Sequence, residues 1–206
     1  RQPSQHAVGA AYGQVEGSAG RLLAVLTWQG TLHKATVELL DVRGARLESY
    51  LLPRATDDGA GSKGEWVGLS DLNRDGWSEL IVANSSAVYL LARARGVAQT
   101  RLAWSYDARD AISALHTYDS QAGLGARLLL GSEDGGLYVL EQDGSLAWRH
   151  TAAGLTQSLD SGDLDGDGID ELLLAFNAPS ERGESPRSGL TALRQDGRVL
   201  WGYPTA

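Results

Sequence analysis

Short apolar runs recur along the chain and are separated by polar, glycine-rich segments. Four of these runs begin at Leu22, Leu80, Leu128 and Leu172, so successive runs are 58, 48 and 44 residues apart. Each run covers about five residues and is bounded by Arg, Glu, Thr, Asn or Gly, a pattern typical of buried β-strands rather than helices. The spacing indicates one structural unit that is repeated four times.

A second repeated block follows the apolar run and predicts a β-hairpin. Residues 136–148 (GLYVLEQDGSLAW) align without a gap on residues 189–201 (GLTALRQDGRVLW). The Gln-Asp-Gly segment in each block predicts a tight turn, because Asp and Gly tolerate the backbone angles that such turns require. The tryptophans that close this block in the last three repeats, Trp104, Trp148 and Trp201, are expected to fill the gaps between neighbouring sheets.

A period near 44–58 residues with four short strands per unit is the signature of a propeller blade. The sequence therefore predicts an all-β fold, a β-propeller of four-stranded antiparallel blades with almost no helix. One propeller domain over residues 1–206 is expected. Its repeats cover approximately 5–52, 64–110, 111–154 and 155–206. Four blades are few for a ring, so the repeats form either part of a larger propeller or a small ring sealed by packing alone.

Two of the loops that precede an apolar run carry oxygen-bearing side chains at alternate positions. In the fourth repeat the acidic positions are Asp163, Asp165, Asp167 and Glu171. A hard divalent cation needs six to eight oxygen ligands around one point, and alternate residues of a tight loop turn their carboxylates inward. The main-chain carbonyl of Ile169 can supply a further ligand.

The second repeat has the same arrangement, with an amide in place of one carboxylate. Its candidate ligands are Asp71, Asn73, Asp75, the carbonyl of Trp77, and Glu79. The loops hold three and four formal negative charges, which together account for nearly the whole net charge of −8. Crowded carboxylates repel one another and either bind a cation or take up protons. Two Ca²⁺ sites are therefore expected.

These loops resemble the core of the FG-GAP or VCBS repeat, the calcium-loop propeller blade of integrin alpha heads and many secreted bacterial proteins. Residues 71–83 and 163–175 are similar to its pattern of Asp-x-Asp/Asn-x-Asp-Gly-x-x-acid followed by an apolar run. An EF-hand does not fit, because the twelfth position is Val82 or Leu174 rather than Glu. The tryptophan-closed blocks are also similar to quinoprotein-like blades. The resemblance implies a propeller fold and bound calcium.

The other two repeats have lost the ligand pattern. At the ninth position, where the acidic loops have Glu, they carry Arg21 and Arg127. An arginine there repels a divalent ion and can donate to loop carbonyls instead, although a solvent-facing arginine is an equally open alternative. Two of the four loops are therefore expected to bind metal.

Composition excludes several classes of protein. The chain has no Cys, which rules out disulfides, thiolate catalysis and Cys-ligated metal sites. Its acidity, without a basic cluster, argues against nucleic-acid binding, and no apolar run is long enough for a membrane-spanning helix. No hydrolase, metalloprotease or phosphate-loop motif is present, so the chain is not expected to be an enzyme. The absence of Met and the N-terminal Arg predict a processed chain or an excised piece.

Two functional classes remain open. The first is a calcium-stabilised extracytoplasmic propeller, extracellular or periplasmic, that is structural or binds a protein partner or larger assembly. The second is the non-catalytic propeller of a secreted carbohydrate-active enzyme or of a quinoprotein-like dehydrogenase, for which a glycan is the partner class. The loops Pro53–Gly64 and Asn177–Ser188, together with Trp77, depart from the repeat and are expected to contact a partner.

Overall fold

The computed structural model of the chain describes residues 5–15, 18, 20–29, 34–53, 65–93, 99–120, 125–178 and 187–205. All regular structure in these residues is β-strand, arranged as four four-stranded sheets. Sheet 1 contains β1 (Gln5–Gln14), β2 (Arg21–Gln29), β3 (Lys34–Leu40) and β4 (Arg46–Leu51). Sheet 2 contains β5 (Trp66–Ser70), β6 (Glu79–Asn84), β7 (Ala87–Arg93) and β8 (Thr100–Asp107).

The second half of the chain repeats this organisation. Sheet 3 contains β9 (Ile112–Asp119), β10 (Ala126–Ser132), β11 (Gly136–Leu140) and β12 (Leu146–Thr151). Sheet 4 contains β13 (Leu155–Gly162), β14 (Glu171–Ala178), β15 (Arg187–Leu193) and β16 (Val199–Thr205). In every sheet the strands pair antiparallel in sequence order, so each sheet is a simple meander. These are propeller-type blades, and the predicted all-β fold is confirmed; they are called blades 1 to 4 below.

The last hairpin of each blade is built in the same way. The pairing of its two strands is interrupted by a β-bulge, which in blade 3 falls between Val139 and Leu140 of β11. The turns of blades 3 and 4 place Gly144 and Gly197 in the left-handed region, with φ of 83° and 86°. The Gln-Asp-Gly segments therefore form the predicted turns, in which a residue with a Cβ is disfavoured at the glycine position.

The chain divides into two compact units, unit 1 over residues 1–109 and unit 2 over residues 110–206. The expectation of a single propeller domain stays a prediction. The described part of the chain contains no helix with the length and apolar character needed to span a membrane. Most of the two predicted partner loops, residues 54–64 and 179–186, lies outside the described residues.

Each unit has an apolar core between its two blades. In unit 1, alternate residues of β2, such as Leu22 and Leu26, pack with Val82 of blade 2. In unit 2, Leu129 of blade 3 packs with Leu174 of blade 4, and both are fully buried. The alternation arises because successive side chains of a strand point to opposite faces of its sheet.

Candidate metal centre

The acidic loop of blade 4 connects the first strand of the blade to the second, as the repeat predicts. It runs from residue 163 to residue 170, between β13 and β14. Gly166 and Gly168 adopt left-handed φ angles of 82° and 85°, which wrap the backbone around the side chain of Asp163. That carboxylate accepts hydrogen bonds from Gly166 N at 2.7 Å and from Gly168 N at 3.0 Å.

Three carboxylates of this loop converge on one point. Ligand oxygens of Asp163, Asp165 and Glu171 all lie within 4.8 Å of one another. Glu171 is only 2 % exposed, and its Oε2 accepts a hydrogen bond from Leu164 N at 2.9 Å. Glu171, the first residue of β14, therefore places its buried carboxylate next to the exposed carboxylates of Asp163 and Asp165.

This spacing is suited to a hard cation. Calcium binds carboxylate oxygens at about 2.3–2.6 Å, so two oxygens that share one ion lie at most about 5 Å apart. The oxygens of the three converging carboxylates satisfy that limit. All three ligands are oxygen atoms, which are the ligands that calcium binds. Arg194 lies close by, with Nη2 3.9 Å from Asp165 Oδ2, and partly offsets the negative charge.

Two further predicted ligands of blade 4 occupy different places. Asp167 lies outside the converging group, and its Oδ1 accepts a hydrogen bond from Ile169 N at 2.9 Å. Ile169 is half-buried. Sequence reasoning did not identify Arg194, which the repeated hairpin brings next to the loop and whose position in the sequence carries no sign of this contact.

The acidic loop of blade 2 has the same backbone frame. Asp71 accepts hydrogen bonds from Asp75 N at 3.1 Å and from Gly76 N at 2.9 Å. Glu79, the first residue of β6, accepts one from Leu72 N at 2.8 Å. The fourth position is Arg74, with φ of 60°, where the blade 4 loop has a glycine.

The amide of Asn73 distinguishes the blade 2 loop from that of blade 4. Its Nδ2 donates to Glu79 Oε1 at 3.1 Å and to Asp75 Oδ2 at 3.2 Å. The amide thus places two N–H donors between carboxylates that a cation would otherwise bridge, and it must turn away before an ion can bind. Trp77 is half-buried, and its main-chain N donates to Asp75 Oδ1 at 2.9 Å.

The buried carboxyl of Glu79 has an altered protonation equilibrium. Burial, with smaller contributions from the charges of Asp75 and Asp71, raises the pKa of Glu79 from 4.5 to about 7, against the opposing effect of the hydrogen bond from Leu72 N. The side chain is only 7 % exposed. In the absence of a cation this carboxyl therefore retains a proton into the neutral range.

In the presence of a chelator, the stability of this protein should therefore depend on pH. Because the pKa of Glu79 is higher in the folded protein than its ordinary value of 4.5, the folded state binds more protons, and stability should rise as the pH falls from about 8 to about 5.5. This contribution is complete below pH 4.5 and disappears as the pH passes about 7. Urea unfolding in chelator at several pH values measures it. Glu79→Gln should flatten the profile, and an unchanged slope in that variant would exclude Glu79 as its origin.

The left-handed glycines of the blade 4 loop should be costly to replace. Gly168→Ala places a Cβ at φ +85°, which costs about 1–2 kcal/mol of folding free energy. Gly162→Ala is the matched control, because Gly162 lies in β13 without a left-handed φ, and a Cβ added there would meet nothing within 4 Å. Chemical denaturation compares them, and equal stability of the two variants would contradict the assigned loop conformation.

The arginines at the ninth position of the other two repeats pair with side chains. Arg127 forms a two-point ion pair with Glu141, with Nη2–Oε1 of 2.5 Å and Nε–Oε2 of 3.0 Å. Arg21 donates to the hydroxyl of Tyr12 at 3.3 Å and lies over its ring. These pairs replace the predicted donation to loop carbonyls, because a carboxylate that follows the adjacent strand, or a phenol within it, is in reach of the long arginine side chain.

Two further polar groupings were not found from the sequence. In unit 2, His116 Nε2 lies 3.0 Å from Ser161 Oγ and 3.8 Å from Asp160 Oδ1. Both contacts use Nε2 of the imidazole, whereas in a nucleophilic triad the serine and the carboxylate contact different ring nitrogens.

In unit 1, Glu48 lies at the edge of a pocket of about 820 Å³. Glu48 occupies the position that is Trp in the other three blades. This departure from the repeat is the feature of the sequence that could have identified Glu48 as a candidate functional residue.

No protein-family model and no curated protein matches the sequence. Solved structures match in fold. A protein of unknown function from Bacteroides caccae has a TM-score of 0.53 and 13 % identity, over 98 % of this chain and 68 % of that one. Sqt1 of Saccharomyces cerevisiae has a TM-score of 0.62 and 16 % identity, over 98 % of this chain and 48 % of that one. BBS1N, in complex with ARL6DN, has a TM-score of 0.55 and 10 % identity, over 100 % of this chain and 67 % of that one.

These similarities concern the fold alone, because the identities are 16 % or lower. The chain spans about half the length of the Sqt1 chain and about two thirds of the other two. The class that the fold defines is therefore a protein built from propeller-type blades.

Proposed function

We propose that this chain is a calcium-stabilised propeller module of an extracellular or periplasmic protein, with a structural or protein-binding role and no catalytic activity of its own. The observation that carries the calcium part is the convergence of Asp163, Asp165 and Glu171 within 4.8 Å. In the blade 4 loop these residues would hold the ion, which supplies the positive charge that cancels their repulsion.

The arrangement of the loop within the blade supports membership of the FG-GAP or VCBS class. The acidic loops of blades 2 and 4 each link the first strand to the second, and each ends in a buried Glu that begins the second strand. A cation in such a loop would tie the two strands together at their shared end. This role is structural, because it adds a constraint to the folded state that the unfolded chain lacks.

A reciprocal exchange at the third loop position tests the calcium proposal. Asn73→Asp removes the amide donor from the blade 2 loop and adds a carboxylate, so calcium should bind that loop roughly tenfold more tightly. Asp165→Asn makes the opposite change in blade 4 and should weaken calcium binding there by a similar factor. Isothermal titration of each variant with CaCl₂ measures both affinities.

The control for this exchange is Asp196→Asn, which removes one carboxylate from a turn of blade 4 whose Oδ1 accepts Arg198 N at 2.9 Å. It changes the net charge equally and should leave both affinities unaltered. If all three variants bind calcium as the unaltered chain does, or if none binds it, the loops are not calcium sites.

The protein-binding role is supported by the fold, since BBS1N, which has a similar fold, was crystallised in complex with ARL6DN. Chemical cross-linking followed by mass spectrometry, in calcium and in chelator, tests this role on the intact chain. A protein partner that is recovered only in calcium supports the proposal. Binding to a glycan array without any protein partner would favour the carbohydrate-active alternative instead.

A further inference from the structure

The contact between blades 3 and 4 shows how this repeat closes the space between neighbouring blades. Trp148 of β12 pairs with Val139 in the sheet and donates from its indole Nε1 to the main-chain oxygen of Gln195 at 2.8 Å. The last hairpin turn of blade 4 packs closely on the ring, because a Cβ added at Gly197 would lie 3.1 Å from it. In unit 2, an indole therefore fills the space between the outer strand of one blade and the hairpin turn of the next.

The contact between blades 1 and 2 has a carboxylate at the same position. Glu48 of β4 pairs with Leu39, in the register that Trp148 has in blade 3. Its carboxylate accepts hydrogen bonds from Thr100 N at 2.6 Å, from Thr100 Oγ1 at 2.9 Å and from Arg93 Nη2 at 2.7 Å. Both partners lie where β7 ends and β8 begins, at the last hairpin of blade 2. Unit 1 therefore keeps the contact between its blades, but with a side chain smaller than an indole.

A pocket of about 820 Å³ lies at this contact and is called the junction pocket below. Its lining includes Glu48 and Tyr50 of blade 1 and Arg93 and Thr100 of blade 2. The volume is within the range of roughly 300–1,000 Å³ that is usual for small-molecule sites. Its described lining lies entirely in unit 1. The residue that departs from the repeat thus stands beside a cavity large enough for a small organic molecule.

Stability alone does not account for the charged pair in the lining. The side chains of Glu48 and Arg93 are only 16 % and 7 % exposed. Removing two charges from water costs free energy that their attraction often fails to recover, so a well-packed apolar residue at such a position is commonly as stable or more stable. Trp148 shows that the same contact can be made in this repeat without a charge. The buried ion pair therefore favours a role in binding.

The described lining of the junction pocket carries an excess of positive charge, although the whole chain has a net charge of −8. It contains three arginines and two carboxylates: Arg21, Arg93, Arg101, Asp41 and Glu48. Glu48 is paired with Arg93. Asp41 is bound within its own turn, where its Oδ1 accepts two main-chain N–H groups, both at 2.8 Å. Both carboxylates are therefore engaged, and the charge that is left is positive.

Two of these arginines can receive an anion. Arg21 and Arg101 are exposed, and neither forms an ion pair with a carboxylate in the part of the chain that the structure describes. Arg21 donates to the hydroxyl of Tyr12 at 3.3 Å and lies over its ring, which orients the guanidinium and leaves its charge uncancelled. The planar fork of a guanidinium matches carboxylate and phosphate groups.

The junction pocket also offers apolar surface. Leu22 belongs to the buried core of unit 1, and Tyr50 packs against that core. Leu47 and Leu102 are exposed in the lining. Single exposed leucines are ordinary, but here they line one concavity together with unpaired cations. This combination favours a ligand that has an apolar body as well as an anionic group.

We propose that the junction pocket binds a small organic anion, an apolar body that carries one carboxylate or phosphate group. Arg21 and Arg101 bind the anionic group, and Leu102 contacts the apolar body. Glu48 positions Arg101, because it holds the adjacent Thr100 of β8 against blade 1. None of the candidate calcium ligands lines the pocket, so this site is independent of the proposed calcium role.

Isothermal titration of the full chain with sodium octanoate and with octyl phosphate tests the proposal. Acetate, which lacks the apolar chain, and 1-octanol, which lacks the charge, are the ligand controls. At least one octyl anion should bind in a 1:1 ratio and roughly tenfold more tightly than either control, because hydrogen bonds to charged groups are the stronger ones. No binding of either octyl anion, or equal binding of acetate or 1-octanol, overturns the proposal.

Substitutions of exposed arginines locate the bound anion. Arg21→Gln and Arg101→Gln each remove one cation and should weaken binding of the octyl anion roughly tenfold. Arg46→Gln is the matched control, because Arg46 is an exposed arginine of blade 1 that pairs with Glu38 at 3.3 Å and does not line the pocket. It should leave the affinity unchanged. Equal affinity of all three variants would show that the arginines of the pocket do not bind the anion.

Glu48→Trp restores the residue that the repeat has in the other blades. The indole should occupy the junction pocket, so binding of the octyl anion should be lost. Binding that persists in a folded Glu48→Trp variant would place the ligand elsewhere and overturn the proposal. If this variant fails to fold by circular dichroism, the exposed arginine variants decide the question, and none of these results bears on calcium binding.

Discussion

Removal of calcium should lower the melting temperature of this protein by several degrees. An ion that binds only the folded state stabilises it by RT ln(1 + [L]/Kd), about 2.7 kcal/mol per site when free calcium is at a hundredfold excess over Kd. For a chain of this size, about 1 kcal/mol corresponds to roughly 2–4 °C, so one filled site shifts the midpoint by about 5–10 °C. Scanning calorimetry in CaCl₂ and in chelator measures the shift.

Magnesium is the control for this prediction. Mg²⁺ prefers a small octahedral shell and gives up its waters reluctantly, so it should restore little of the lost stability. Asp165→Ala should reduce the stability measured in calcium more than Asn73→Ala, because only the former removes one of three converging carboxylates. In chelator, the two variants should differ little. Equal melting in calcium and in chelator would overturn the interpretation of both loops as stabilising calcium sites.

Leu129→Ala should be strongly destabilising. Leu129 is fully buried in the core of unit 2, where it packs with Leu174 across the junction of blades 3 and 4. Truncation of a buried leucine removes its transfer free energy and leaves a cavity, which together cost about 2–5 kcal/mol. Urea unfolding followed by tryptophan fluorescence measures the loss.

The control is Leu146→Ala, in which the same truncation is made at a leucine of blade 3 that is 46 % exposed. Surface substitutions of this kind usually change stability by no more than about 0.5 kcal/mol. If the two variants unfold at the same urea concentration, the apolar contact between blades 3 and 4 does not stabilise unit 2.

Part of the candidate site was predictable because its determinants are local. Alternate acidic residues followed by glycine predict a loop that turns its carboxylates inward, and the structure brings Asp163, Asp165 and Glu171 together. Asp167 belongs to the same pattern but lies outside the converging group, and Asn73 inserts an amide between the carboxylates of its loop. The alternate spacing in the sequence includes Asp167 as well as the carboxylates that converge. Only the distances between oxygen atoms in the folded loop show which carboxylates could share one ion.

The tryptophan repeat shows the same division. The sequence predicts Trp148 and Trp201 as equivalent fillers between blades, and their registers are indeed equivalent. Trp148 is half-buried beneath the turn of blade 4, but Trp201 is 44 % exposed, so the expectation that Trp201 fills a gap between blades is wrong. An equivalent place within a blade does not determine burial, because burial depends on what packs against that side chain, as the turn of blade 4 packs against Trp148.

The sequence by itself determined the number of blades, their four-strand meander and the position of their turns. These features arise from alternation of apolar residues, from glycine at left-handed positions and from repetition, all of which act within a few residues of the chain. The tertiary structure alone decided which carboxylates converge, that Arg127 pairs with Glu141, and that Glu48 of blade 1 accepts hydrogen bonds from residues at the last hairpin of blade 2. Residue spacing does not fix these contacts, because Arg127 meets Glu141, and Glu48 meets Thr100, only when the strands and blades have packed.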